Sequence, residues 1–559
     1  NFSRIMRRVK EGDSQLHYRA NDTPKWSVAI LFGAQQMMCC ISGLLVMPFV
    51  VADLMCAGSG SVALRVRLIS ATFVVCGIAT LLQTTFGLRL AILQGPSFAF
   101  LPPLIAFSSL PENACNATDK DFVPEEQWIH RMRTVQGSLF VASLSIVFLG
   151  ATGFVGRIAK FLGPITICPI LTLLTISTIE VILTNISEHW ISIVQISTLV
   201  VVAVYLADVD VPIPIVDIMH RRVTVSKARV FGLFPYLISI GVVWLICCLL
   251  TWTNLEPDEG KARVDKNQTM IILYNSPWLS VPYPGQFGMP RISLGLSFGF
   301  LASCVACVIE TLGSYATIAR VSQEPTAPSS TVNRAILIEG IGCCLATLMG
   351  ISVGVTTFSE NVALVSVTKV ASRLTMQLAG CMLIILGIFS KVGAILATIP
   401  SPCIGAVLLV GMSMIFGVGL SCLQSVDLKI SRNLTIMGFS VIVGLLIPHY
   451  FKLHPPHTGL VDVDHILQIL LNIPMFVGGI IALILDNTVS GASDIQRGLR
   501  RRGKEEGSEF SNGYAFPDIV NRTIKSLPLT TRLPFMPSKQ TLEMSLKMVH
   551  RDKRVSTIA

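Results

Sequence analysis

Long apolar runs separated by short polar breaks constrain this chain more than any other feature. A helix needs about 20 apolar residues to cross the hydrocarbon core of a bilayer, and it must satisfy its backbone polar groups internally. Such runs lie near residues 26–50, 62–84, 88–107, 134–155, 162–184, 191–207 and 230–253. They resume near 292–314, 335–352, 355–370, 375–397, 402–420, 433–450 and 466–486. The pattern predicts an all-α polytopic membrane protein of 14 spans. Charged residues are 14% of the 559 and mean hydropathy is +0.66, whereas a soluble domain carries roughly 25% charged residues.

A net charge of +10 would invite a nucleic-acid reading, but Lys and Arg are scattered at span ends and loops and form no phosphate-binding face. The 15 cysteines include pairs such as Cys39-Cys40, Cys247-Cys248 and Cys343-Cys344 inside apolar runs, where Cys acts as a small hydrophobe. Cys115 alone lies in a long polar loop.

Residues 1–25 are polar and basic, and the first apolar run is too long for a cleaved signal core, so the expected arrangement leaves this segment where it starts. An even span count puts both termini on one side. Arg4, Arg7, Arg8 and Lys10 at one end, with Arg497, Arg500, Arg501 and Arg502 at the other, make that side the cytoplasm. Arg221, Arg222, Lys227 and Arg229 follow the sixth run, while Asp258, Glu259 and the sequon at Asn267 follow the seventh. The sequon at Asn116 also falls outside, so Asn116 and Asn267 are glycosylation candidates. Beyond Arg497 the charged chain is expected to be a mobile cytoplasmic tail without transport chemistry.

Seven spans per half make the second half enter the bilayer with opposite orientation, the arithmetic of an inverted repeat. The third run of each half is interrupted, by Gln94-Gly95-Pro96-Ser97-Phe98-Ala99-Phe100 and by Gly354-Val355-Thr356-Thr357-Phe358-Ser359-Glu360-Asn361. Gly95 and Pro96 weaken a helix, and the β-branched Val355 to Thr357 favours extended backbone. Broken backbone at membrane depth survives where it is buried in protein or lines a cavity. Both stretches therefore read as short extended segments leading into half-helices that meet at a central site.

Glu310 and Glu360 are carboxylates at membrane depth, where an ionisable group is costly and points to function. A buried carboxylate accepts two neighbouring N–H groups from one planar ligand, as on the edge of a pyrimidine or oxopurine. Extended segments before half-helices offer free backbone groups at Phe98 and Ser359, and the Phe98 ring suits a flat base. Ser97, Thr311, Ser314, Thr356 and Thr357 supply oxygens of the kind sodium takes. Walker, dinucleotide, metal-ligand and nucleophile-elbow motifs are missing from the sequence, which argues against an ATP-driven pump, an enzyme or a bound cofactor.

The stretch Glu360-Asn361-Val362-Ala363-Leu364-Val365-Ser366-Val367-Thr368-Lys369 resembles the signature of the nucleobase-ascorbate transporters, solute carrier family 23. Ser97-Phe98-Ala99-Phe100, Glu310 and Gln35 strengthen the likeness, which covers residues 26–490. Ala363 stands for the motif Gly, Gln36 for a frequent His, and Ser314 for His or Asp.

The resemblance implies two inverted seven-span repeats with short strands in spans 3 and 10. It implies a core of residues 26–155 and 292–397 and a gate of residues 162–253 and 402–486, with an outer loop at 254–291 and a tail at 487–559. It further implies a plasma-membrane homodimer joined through the gate, working by an elevator motion. Phe98, Glu310, Ser359, Glu360, Gln35 and Asn361 would bind substrate, and Ser97, Ser314 and Thr357 the co-transported sodium. Glu360, where ascorbate carriers have Pro, implies nucleobases: uracil, thymine, hypoxanthine, xanthine and guanine. The alternative is sodium-dependent transport of ascorbate or another organic anion.

Peptide N-glycosidase should increase the gel mobility of the protein made in mammalian cells, and Asn116→Gln with Asn267→Gln together should abolish that shift.

Overall fold

A computed structural model describes residues 16–110, 112–113, 123–155, 161, 163–217, 222–257, 260–325, 327–459, 461–499, 514–526, 533–537 and 542. Among these, nine helices are long and apolar enough to cross a membrane, or ten when one bent pair counts as a single span. The first half contains α1 (Trp26–Leu54), α2 (Ser61–Thr85), α3 (Leu101–Ser108), α4 (Glu125–Thr152), α5 (Pro164–Ser177, continued by Ile179–Ser187), α6 (Ile191–Val200) and α7 (Pro235–Trp252). The second contains α8 (Leu294–Val321), α9 (Ser329–Leu348), α10 (Ser359–Thr368), α11 (Arg373–Ile388), α12 (Ser401–Cys422), α13 (Ser431–Leu453) and α14 (Pro474–Thr488).

Lipid is as apolar as leucine, so helices in a membrane associate by close packing at small residues. In α2 and α11, a Cβ added at Gly77 would lie 2.5 Å from the Gly380 carbonyl oxygen, and one at Gly380 would lie 3.0 Å from that of Gly77. The backbones of α4 and α9 meet in the same way, with Gly150 against Leu337 and Gly340 against Val147. Around these crossings α1, α2, α4, α8, α9 and α11 pack together. A second group is built by α5, α6, α7, α12, α13 and α14.

Two strands lie inside the first group. β1 (Gln94–Pro96) pairs antiparallel with β4 (Val355–Thr357), in the register Gln94 to Thr357, Gly95 to Thr356 and Pro96 to Val355. Ser97 N donates to Gly354 O at 2.8 Å and Phe358 N to Leu93 O at 3.0 Å, extending the pairing at both ends. The Phe358 ring covers Gly95, and the Phe100 ring lies 2.6 Å from where Gly354 would carry a Cβ. Gly95 in β1 and Gly354 just before β4 thus each admit an aromatic ring from the other segment.

Within residues 88–107, read as interrupted, the chain runs through β1 and a 3-10 turn at Phe98–Phe100 before Pro102 and Pro103 start α3. Other sequence expectations change. The run at 466–486 is split into Val461–Leu471 and α14, where Pro474 begins a new helix. The 375–397 run bends by 84° between Ile388 and Ser390. Just beyond the bend, Lys391 Nζ donates to the carbonyls of Leu273, Tyr274 and Ser276 at 2.5–3.2 Å, gripping the loop between α7 and α8. A hairpin of β2 (Val211–Asp217) and β3 (Arg222–Ala228) occupies the loop after α6.

Part of the tail is packed against the helices. Tyr514, Phe516, Asn521 and Ile524 are buried, because Arg334 and an apolar cluster of Phe516, Ile524 and Leu542 hold them.

Gly77→Leu should destabilise the detergent-purified protein by about 1–3 kcal/mol through overpacking, lowering its thermal midpoint by tryptophan fluorescence. Gly241→Ala, where a Cβ meets nothing within 4 Å, should leave the midpoint equal or higher.

Candidate solute site between two half-helices

The turn at Phe98–Phe100 with α3, and α10, are short helices whose N-termini follow the paired strands. Unpaired N–H groups and the helix dipole make such ends attractive to electron-rich atoms. Ser97 caps the first by accepting from Ala99 N at 3.2 Å. Extended Phe358 precedes the second, and Glu360 sits in its first turn. Lys369, with φ 56°, ends α10, and the N-terminal segment seals that end through His17 N to Lys369 O at 2.9 Å and Ala371 N to Tyr18 O at 3.0 Å.

Glu310 of α8 and Glu360 of α10 are half-buried and within electrostatic reach of each other. The Ser97 hydroxyl lies against the Glu310 carboxylate. Ser314 and Ser359 share a hydrogen bond of 3.3 Å, tying α8 to α10. Asn361 Nδ2 donates to both the carbonyl and Oε1 of Gln36 at 2.8 Å, while Gln35 is buried beside it in α1. Tyr236 of α7 and Cys39 of α1 also lie within electrostatic reach of Glu360. Phe98 is buried at the head of the first half-helix.

Glu310 Oε2, Gln35 Nε2 and Asn361 Oδ1 are buried without a hydrogen-bond partner. Leaving such groups unmade costs about 1–3 kcal/mol each, so two acceptors and a donor in this region favour a polar solute.

Thr357 stands apart from the other candidate ion ligands: its hydroxyl accepts from Gln94 Nε2 at 2.7 Å. It belongs to a second polar layer that sequence reading did not find. At its centre is Glu339 of α9, 2% exposed, taking Thr311 Oγ1 at 2.7 Å, Tyr315 OH at 3.1 Å and Cys307 Sγ at 3.6 Å. Gln83 Nε2 donates to Tyr315 OH, and Thr311 shares a 2.8 Å bond with Thr356 on β4. The available signal is a third acid inside an apolar run, and α9, which begins at Ser329, sets Glu339 well inside the helix.

Asn116 lies outside the described residues, whereas Asn267 is exposed at the start of the short helix Asn267–Asn275. A cavity of about 520 Å³, lined by Trp244, Thr251, Trp252, Asp265, Ile395 and Thr398 among others, lies away from the carboxylates. No group of three or more His, Cys, Asp or Glu with metal-site geometry occurs among the described residues.

A model of the Permease family, Xan_ur_permease, matches residues 27–453. Solute carrier family 23 member 2 of Homo sapiens is 37% identical over 544 residues, covering 94% of this chain and 83% of that protein. The chain belongs to solute carrier family 23. Member 1 of the family in Mus musculus is 35% identical over 529 residues, covering 90% of this chain and 87% of its own. Nucleobase-ascorbate transporter 1 of Arabidopsis thaliana is 30% identical, covering 94% and 97%. Among solved structures, the murine anion transporter Slc26a9 is 13% identical with a TM-score of 0.44, covering 75% of this chain and 65% of that one. The transmembrane domain of the cyanobacterial bicarbonate transporter BicA is 14% identical with a TM-score of 0.40, covering 82% and 100%. This family member is therefore a multi-pass membrane protein of a transporter family.

Thr311→Val should remove the bonds to Glu339 and Thr356 and destabilise the protein by about 1–3 kcal/mol. Thr311→Ser should restore the thermal midpoint in the same fluorescence measurement.

Proposed function

We propose that this family member is a sodium-coupled secondary transporter that imports nucleobases across the plasma membrane. The observation that carries the reading is the pair of half-buried carboxylates, Glu310 and Glu360, beside the N-termini of two half-helices. A uracil or oxopurine edge presents adjacent N–H groups to carboxylate oxygens, while its carbonyls suit the backbone N–H groups at Phe98 and Ser359. Gln35 and Asn361 complete the polar wall, and the Phe98 ring offers a stacking surface.

Two acids close together in a low-dielectric site repel, and a neutral base does nothing to offset their charge. A co-transported sodium ion would. Ser97 beside Glu310 and Ser314 between α8 and Ser359 are its best-supported hydroxyl ligands. Thr357 accepts from Gln94 Nε2 with one lone pair and keeps the other for the ion.

Ten spans with the bent pair counted once, three shorter apolar helices and α10 make 14 crossings. The two packing groups correspond to a core of α1–α4 with α8–α11 and a gate of α5–α7 with α12–α14. Transport then follows an elevator motion of the core against the gate, with lipid outside. The exposed Leu434, Phe439, Ile442 and Leu446 of α13 supply a gate face for a homodimer.

Cys56, just beyond α1, is disulfide-bonded. Disulfides persist in oxidising compartments, which supports an outward-facing end of α1 and, with an even number of crossings, two cytoplasmic termini.

Radiolabelled uracil uptake in cells should require sodium and fall when choline replaces it. Glu360→Gln should reduce uptake about tenfold or more, the loss of a charge-assisted hydrogen bond of about 1.5–3 kcal/mol. The plant relatives' names join nucleobase with ascorbate, so ascorbate is the comparison substrate. Entry of ascorbate without uracil would overturn the nucleobase reading, and undiminished uptake in choline would overturn the sodium coupling.

A further inference from the structure

The chain beyond α14 is fixed to both packing groups, first to one and then to the other. Asp486, 1% exposed at the end of α14, takes Arg432 Nη1 of α13 at 3.1 Å and Arg497 Nε and Nη2 at 3.0 Å. Gln496 O accepts from Asp427 N at 3.0 Å and from Asn433 Nδ2 at 3.2 Å. Residues up to 499 are thus pinned to the group read as the gate.

Residues 514–526 and 533–537 rest on the other group. Arg334, 4% exposed in the first turns of α9, donates Nη2 to Tyr514 O at 2.9 Å and Nε to Gly87 O at 2.9 Å, and its guanidinium lies 4.0 Å from the centre of the Phe516 ring. Tyr514 OH donates to Pro325 O at 2.6 Å, beyond the end of α8. Asn333 Nδ2 donates to Pro534 O at 3.2 Å.

Pro534 also closes on Gly153, where an added Cβ would lie 2.6 Å from the proline ring. Gly153, with φ +72°, ends α4 in the left-handed conformation and is the residue from which the chain leaves the core for the gate. The tail therefore sits on the connection that has to flex when core and gate slide past one another.

We infer that residues 514–526 and 533–537 form an autoinhibitory strap, whose docking on Arg334, Asn333 and Gly153 slows core movement and whose release speeds turnover. This rests on the elevator reading above. The surface is matched to a peptide: buried Arg334 and Asn333 donate to its backbone carbonyls, and the guanidinium face receives an aromatic side chain. A segment held by a few such contacts is at the low-stability end of the structure and can open without unfolding the spans.

The test compares the full chain, a chain ending at residue 513, Phe516→Ala and the milder Tyr514→Phe, with uracil uptake divided by the amount of protein at the cell surface. The truncation and Phe516→Ala should raise the maximal rate two-fold or more with KM for uracil nearly unchanged, and Tyr514→Phe should fall between them and the full chain. In detergent, amide hydrogen exchange over residues 149–155 should be at least several-fold faster in the truncated chain and return to the full-chain rate when a synthetic peptide of residues 514–542 is added. Equal or lower rates per molecule in both strong variants, or exchange that ignores truncation, would overturn the strap. The exchange measurement needs no substrate, so a chain that ignored uracil would sink the transport reading while the strap was still decided by exchange.

Discussion

The antiparallel pairing of two three-residue strands is the interaction on which the rest of this site depends. Backbone that leaves the helix at membrane depth exposes donors and acceptors that lipid cannot satisfy. Here each interrupted segment satisfies the other, and the bonds from Ser97 and Phe358 carry the pairing up to the first residues of the half-helices. The strand pair is short because it needs only to bridge the gap. Its two glycines let the Phe358 and Phe100 rings close over the backbone, replacing the packing that a continuous helix would have made. Lengthening either strand would displace the adjoining helix N-terminus and pull Ser97 away from Glu310.

Two polar layers flank these strands and differ in character. Around Glu310, Glu360, Gln35 and Asn361 several buried atoms lack partners. Around Glu339 both carboxylate oxygens are engaged, by Thr311, Tyr315 and Cys307. The first arrangement suits exchange of partners with a solute, whereas the second rigidifies. Because Thr356 of β4 reaches into the Glu339 layer through Thr311, the satisfied layer orients the strand that presents Ser359 and Glu360. Preorganised support behind a binding group is what allows it to hold its position when a ligand arrives.

The legible parts of this chain were those with a local cause. Gly95-Pro96 and the β-branched Val355 to Thr357 disfavour helix by themselves, so the two breaks could be read from residue type. Glu310 and Glu360 stood out as lone acids in apolar surroundings. Glu339 has no such local mark, because its surroundings are set by Thr311 and Tyr315 of α8 and, through Tyr315, by the distant Gln83. The hairpin at 211–228 was hidden among basic residues that signalled a loop. The tail gave no signal for the same reason: Phe516, Ile524 and Leu542 are far apart in sequence, and only their convergence on one another, with Phe516 against Arg334, gives them a place to pack.

The glycine crossings carry a consequence for how the protein is made. Gly77 meets Gly380, and Gly150 meets Leu337, so each pairs a helix from the first half with one synthesised some 200 to 300 residues later. Long sequence separation slows the formation of contacts, and chains are elongated at about 5–20 residues per second. For tens of seconds, α2 and α4 must wait in the bilayer with their small-residue grooves facing lipid or a chaperone. Nascent chains that stop before α11 cannot close the groove on α2, which makes it a marker that quality control could read as unfinished.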